Sequence, residues 1–344
     1  MKAERAVQPK FRIRDLAACL LMPAAIALFY NCMFWVPNRT ELGPRTARIE
    51  FRAVAFDPAG FGPLQFVGAW KLTGNDPRFG GVSALALDRG QLLALSDSGV
   101  LIRFNPPGAG RRSARWVEPA LIGELPSGPG EGRFKRNRDS EALLRDPGGR
   151  GWWVVFENRH GLWLYDRDFR RALGSVSLRR YGWRPNKGVE GIAAQPRELL
   201  LFPENGDGLI RFDGSHLRLV PIGHARGDIS DAAALGPGQV IAIERRQTPL
   251  GFRNALVALD QSGSGYRFGR RIALPLGPVD NLEAVAVETL APGKLRLWLM
   301  TDDNLQPPLR TLLIALDWPS SPTVKQAARV SPAPNHTDQL QAER

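Results

Sequence analysis

The sequence predicts an all-β fold: a β-propeller of five or six blades, closed by an N-terminal strand and preceded by one N-terminal hydrophobic helix. Three observations predict it. Residues 279–317 read as one complete repeat unit, four earlier segments carry the same features in the same order, and the spacing suits blades of roughly 40 to 50 residues. In 279–317 an acidic turn (Asp280, Asn281, Glu283) enters an apolar strand and the Pro292-Gly293 turn leads into a second. A second acidic turn (Asp302, Asp303, Asn304) and a third strand complete the unit.

The same order recurs in residues 80–104, 138–166, 186–214 and 227–260. Aligned on the first turn, Ser83, Glu141, Glu190, Asp231 and Glu283 share a register, at intervals of 58, 49, 41 and 52 residues. Aligned on the second, Asp97, Glu157, Glu204, Glu244 and Asp302 do the same. Two rings of polar side chains, almost all acidic, are expected.

Residues 1–37 stand apart as a signal or membrane anchor. A basic start (Lys2, Arg5, Lys10, Arg12, Arg14) precedes the apolar run 16–37, about the ~20 residues that a bilayer-spanning helix needs. Pro23 and Asn31 interrupt the run, so a cleaved secretory signal stays open beside the uncleaved anchor, which we prefer. Leu16-Ala17-Ala18-Cys19 looks like a lipoprotein box, but charged residues 10–15 stand where that signal needs apolar ones. In both readings the positive flank stays in the cytoplasm. The body is exported to the periplasmic side, anchored at the inner membrane or released. Both cysteines, Cys19 and Cys32, lie in this leader, so the body has no disulfide, thiolate chemistry or cysteine-based zinc site.

Residues 38–61 read as a linker and first strand, 62–319 as the propeller, and 320–344 as a disordered tail rich in Pro, Ala and Gln. Residues 65–72 have the character of an outer strand with no blade before it, while the last repeat ends at Asp317 without one. Pairing the two closes the ring and removes its exposed edges. A sixth blade is allowed if 49–56 and 105–138 supply further strands.

The net charge of +12 falls to +9 without the leader. Nucleic-acid binding would gather basic residues on one helix or stripe with aromatics between them. Here they are scattered (Arg111, Arg112, Arg115; Arg133, Lys135, Arg136, Arg138; Arg179, Arg180, Arg184), as on a solvated face. A nucleic-acid partner is therefore not expected, and the body is read as a monomer. An exported arginine-rich surface also suits anionic headgroups or anionic substrates. The sequence has no G-x-S-x-G elbow, no H-E-x-x-H and no G-x-x-x-x-G-K-[ST], which argues against a serine esterase, a zincin and a P-loop NTPase.

The motifs GGVSALALD with LLALSDSG, NKGVEGIA with LLLFPENGDG, and DNLEAVAV with LWLMTDDNLQPPLRTLLIALD carry a resemblance. Over about residues 62–318 the chain resembles the family described as having esterase-like activity of phytase, the phytase-like propeller domains of bacterial exported proteins. The resemblance implies a propeller and phosphoester hydrolysis. Ser83 departs from the acidic pattern and leaves a gap in the ring.

Propeller blades line the central channel with their first strands, so acids at the strand starts converge at one mouth. Crowded carboxylates repel until a hard cation, an arginine or a proton relieves them, and calcium suits a body without cysteine or paired histidines. The expected metal ligands are Asp139, Glu141, Glu157, Glu190, Glu204, Glu244, Glu283, Asp302 and Asp303. Glu141, Glu190, Asp231 and Glu283 stand at the reacting centre. Arg159, His160, Lys187, Arg245 and Arg246 are the expected phosphate-binding groups for a small anionic or phosphorylated substrate. Two readings follow: a calcium-dependent phosphoester hydrolase, or a non-catalytic propeller that binds an envelope partner or ligand, its acids only capping strand ends and bonding blade to blade.

Overall fold

The computed structural model describes residues 43–319 apart from 109–114, 133, 207 and 224. The expected leader and the tail from 320 onward lie outside the described residues. Among those described, no helix is long and apolar enough to cross a membrane.

Strand follows strand through the chain. β1 (Arg45–Ala53) and β2 (Gln65–Gly74) precede a first set of four, β3 (Val82–Asp88), β4 (Gln91–Ser96), β5 (Val100–Phe104) and β6 (Arg115–Glu124). After a short helix, Lys135–Arg138, come β7 (Ser140–Arg145), β8 (Gly151–Phe156), β9 (Gly161–Asp166) and β10 (Ala172–Ser177). The third set is β11 (Val189–Gln195), β12 (Glu198–Pro203), β13 (Gly208–Phe212) and β14 (Leu217–Pro221). The fourth is β15 (Asp228–Gly236), β16 (Gln239–Thr248), β17 (Gly251–Ser262) and β18 (Gly265–Ala273). Last come β19 (Asn281–Ala291), β20 (Lys294–Asp302) and β21 (Leu312–Trp318).

Sets two, three and four are separate antiparallel sheets, each in chain order from inner to outer strand. The last set takes its fourth strand from the N-terminal side: β2 pairs antiparallel with β21, from Gln65 opposite Asp317 to Lys71 opposite Leu312. This is the exchange that the missing outer strand required. β1 does not start a further set. It runs between β2 and β6, joining the last and first sets into one nine-stranded sheet, β19-β20-β21-β2-β1-β6-β5-β4-β3.

The first strands meet at the centre. β3 touches β7, β7 touches β11, β11 touches β15, β15 touches β19, and β19 returns to β3. Apolar wedges fill the space between neighbouring sheets. Leu93, Leu95, Leu143 and Trp152 pack sets one and two, and Trp153, Val155, Leu199 and Leu201 pack two and three. Phe202, Ile229 and Val240 join three to four, and Ile241, Leu256, Leu297 and Ile314 join four to five. β8 is buried along its whole length and β12 beyond Glu198 because a sheet covers each face, which is why WWVVF and LLLF are continuous apolar runs rather than alternating ones. At roughly 1.5–3 kcal/mol for each fully buried large side chain, these wedges and not the polar centre hold the ring together.

Several other arginines find local acids. Arg310 donates two hydrogen bonds, of 2.7 and 3.0 Å, to the fully buried Asp280, and Arg150 does the same to Asp146 at 3.0 and 2.9 Å. Arg78 binds Asp76 and Glu124, and Arg296 binds Asp317. Each of these arginines is thus neutralised by an acid within the fold.

Candidate active site: a carboxylate-lined central cavity

One irregularity repeats at the start of every inner strand. Pairing with the second strand skips one residue between Val82 and Ala84, Ser140 and Ala142, Val189 and Gly191, Ile229 and Asp231, and Leu282 and Ala284. The bulged residues are therefore Ser83, Glu141, Glu190, Ser230 and Glu283. A bulge leaves its residue unpaired and re-aims the side chain, and Ser83, Glu141, Glu190 and Glu283 face a central cavity of about 260 Å³.

The second acidic turn reaches the same cavity because the hairpin folds the end of strand two beside the start of strand one. Three turns are clipped identically: the N–H groups of Asp97, Glu157 and Glu204 donate to the carbonyls of Gly81, Asp139 and Gly188 at 2.8, 2.8 and 2.9 Å. Asp97, Glu157, Glu204 and Asp302 line the cavity, together with Asp139 from the loop before β7. Gly191 permits the close approach of β11 to β15, since a Cβ there would lie 2.7 Å from the Ala232 nitrogen.

Not every expected residue arrives. Asp231 sits one residue beyond the bulge at Ser230, and a one-residue offset turns a strand side chain to the other face. It is buried, accepting from Val285 N–H of the next set at 2.7 Å and from Ala232 N–H at 2.8 Å. Burial raises its pKa well above the ordinary value, against the pull of those two bonds. Glu244 is likewise turned away, accepting from Arg271 Nε at 2.7 Å and Arg226 N–H at 2.9 Å. Its place is taken by Arg245, because β16 runs on to Thr248 without turning at the acid. Asp303 accepts from Gly81 N–H at 2.9 Å and Leu305 N–H at 3.0 Å, behind the cavity wall. The fourth set thus presents a cation where the others present acids.

Of the expected phosphate-binding groups, Arg245 lines the cavity and is paired with Glu283, while also donating to Asn281 Oδ1 at 2.8 Å. Lys187 adjoins it through a 2.5 Å ion pair with Glu204. Arg159 is diverted to Asn137, donating from Nε at 2.8 Å. His160 packs edge-on against Trp183 with ring centroids 5.9 Å apart, and burial lowers its pKa. Arg246 is exposed on β16 opposite Arg253. Lys135, Arg136, Asn158, Asn186 and Asn304 also line the cavity, outside the set of residues expected from the sequence. The signal for two of them was an asparagine directly after the second-turn acids, in Glu157-Asn158 and Asp303-Asn304. Lys135 and Arg136, in the run KRNRD, are indistinguishable by sequence from surface charge.

Eight carboxylates face three basic side chains in this lining: Asp97, Asp139, Glu141, Glu157, Glu190, Glu204, Glu283 and Asp302 against Lys135, Arg136 and Arg245. Oxygen atoms of Asp139, Glu141 and Glu157 lie within 4.8 Å of one another, and so do those of Glu157, Glu190 and Glu204. Burial, then repulsion by their neighbours, pushes the carboxyls of Glu141, Glu157 and Glu190 upward. Asp302 is raised to about 7 by burial and by Asp97. Burial pulls Lys135 down, but Asp97, Asp139 and Glu141 together raise it, and it bridges to Asp97 at 2.5 Å. Glu190 is 7% exposed and, among the described residues, its side chain has no hydrogen bond or ion pair. Arg245 and Lys187 act on it only from a distance, and burial with Glu204 beside it outweighs them.

These features define a class: a closed all-β ring of propeller type with an acid-lined central cavity. Within it, the chain belongs to the phytase-like family described by esterase-like activity of phytase, which matches residues 77–305. None of the curated proteins matches the sequence. Among solved structures the chain is similar to the glutaminyl cyclase of Myxococcus xanthus, at 13% identity, covering 74% of this chain and 96% of that one with a TM-score of 0.47. It is similar to the Cps50 (Swd1) β-propeller domain of Myceliophteria thermophila at 10% identity, covering 82% and 98%, with a TM-score of 0.39. For the hydrazine synthase of Kuenenia stuttgartiensis the identity is 13% and the TM-score 0.40, with 70% of this chain matched to 64% of that one. The chain therefore spans less than two thirds of that protein's length.

Proposed function

We propose that this protein is a divalent-cation-dependent phosphoester hydrolase with a five-bladed propeller body, exported to the periplasmic side by its N-terminal segment and acting there on a small anionic substrate. The observation that carries the reading is Glu190, a carboxylate 7% exposed, unpaired, and within 4.8 Å of Glu157 and Glu204 oxygens. An ionised carboxylate is not kept so far from water without a compensating charge. The donor set suits a hard cation: the cavity lining offers carboxylate and amide oxygens and no sulfur or imidazole, and calcium takes six to eight such oxygens.

Asp139, Glu141, Glu157, Glu190 and Glu204 would hold the cation. Bound there, it would neutralise the acids, polarise a phosphoryl oxygen and acidify a water. The chain's own groups supply the rest. Arg136 and Lys135 stand on one side of the lining and Arg245 on the other, so an entering phosphate meets cations beside the acids. Asn158, Asn186 and Asn304 add amide groups that can orient its oxygens.

A second reading, a ligand-binding propeller with a structural ion, is favoured by one observation. Lys135, Lys187 and Arg245 each already bind an acid of the ring. Calcium titration of the purified, chelator-treated chain, followed by thermal unfolding and hydrolysis of a generic phosphomonoester, separates the two. Stabilisation with turnover supports the hydrolase. Stabilisation without turnover leaves the structural ion, and neither removes the cation altogether.

A further inference from the structure

The acids of the cavity are not one ring but two groups with a common member. Asp139, Glu141 and Glu157 all come from the second set: the loop before β7, the start of β7 and the turn after β8. Glu190 and Glu204 come from the third, at the start of β11 and after β12. Glu157 lies within 4.8 Å of the oxygens of both groups. We propose that the cavity binds two divalent cations side by side, one held by Asp139, Glu141 and Glu157, the other by Glu157, Glu190 and Glu204, with Glu157 shared as the bridging carboxylate. This rests on the cation reading above and adds to it the number of ions and the ligands of each.

Two further observations support the pair over a single ion. Ionised, as ligands of a cation must be, the eight lining carboxylates stand against Lys135, Arg136, Arg245 and the adjoining Lys187, which leaves four negative charges to neutralise. One divalent ion cancels half of these and two cancel all. Each group holds a carboxylate whose side chain has no hydrogen bond or ion pair among the described residues, Glu141 in the first and Glu190 in the second, so an ion in the first group alone would leave Glu190, 7% exposed, without a partner. The second ion would also join two sheets otherwise held by apolar packing, whereas the first is contained within one.

The test is calcium stoichiometry on the full chain by equilibrium dialysis and calorimetry, with folding of each variant checked by circular dichroism. The wild-type protein should bind two ions. Glu190→Gln and Glu204→Gln should each lose one and keep the other, and Asp139→Asn should lose the opposite one. Glu157→Gln should weaken both by about tenfold or more. A single ion in the wild type overturns the pair while leaving the cation reading intact, and no ion overturns both. Loss of only one ion in Glu157→Gln, with the other unchanged, overturns the bridge. If Glu157→Gln fails to fold, the Asp139→Asn, Glu190→Gln double variant still decides, since two separate groups predict loss of both ions and a retained ion refutes them.

Discussion

Replacing Asp231 by alanine should unfold the protein more easily and leave its cation binding untouched. The carboxylate accepts the Val285 N–H of the neighbouring sheet at 2.7 Å and its own neighbour's Ala232 N–H at 2.8 Å, and all three residues are buried. Alanine leaves two buried donors without acceptors, at roughly 1–3 kcal/mol each. Relief of the buried carboxylate offsets part of this, since burial is what raises its pKa. A net loss of about 3 kcal/mol follows, or roughly 6–12 °C for a body of this size. Asp231→Asn, which keeps one acceptor oxygen, should lose less. Thermal unfolding with and without calcium, beside a calcium titration, measures both effects. An unchanged midpoint would refute the inter-sheet lock, and weakened calcium binding at unchanged stability would return Asp231 to the site.

Arg310→Ala should cost about 3–5 kcal/mol by stranding the fully buried Asp280, and urea unfolding will read it. Arg245→Met removes the cation paired with Glu283, so calcium should bind more tightly and phosphate more weakly, each by about tenfold or less, in titrations of the two ions. The pH dependence has two limbs. Asp76 is held low by Arg78, with Arg45 adding to it, so its contribution is present above the ordinary carboxylate range and is lost as the solution is acidified below it. Asp302 is raised to about 7 by burial and Asp97, with Asp303 adding and Asn304 N–H and Lys135 opposing. Its contribution is therefore present below pH ~4 and lost as pH rises through about 7. Chelated protein should melt at a lower temperature at pH 8.5 than at pH 5.5, and added calcium should recover more at the higher pH.

The repeat was legible in the chain because each strand set carries its own local signals: paired acidic turns, apolar runs and Pro-Gly or Asp-Gly turns at near-regular intervals. These determine an all-β ring, and the orphan strand at 65–72 with the incomplete last repeat determines how the ring closes. The convergence of Glu141, Glu190 and Glu283 with Asp97, Glu157, Glu204 and Asp302 also followed from register. What only the tertiary structure decided was which side chains turn inward. A bulge of one residue, invisible to alignment, puts Ser230 in register in the fourth set and turns Asp231 outward into a backbone lock. A second strand that runs on past the acid to Thr248 withdraws Glu244 and substitutes Arg245. Both depend on hydrogen bonding between strands far apart along the chain, and a two-residue side-chain period makes each such shift reverse the face on which a charge appears. The grouping of the acids around Glu157 has the same origin, since one group lies within a sheet and the other spans two.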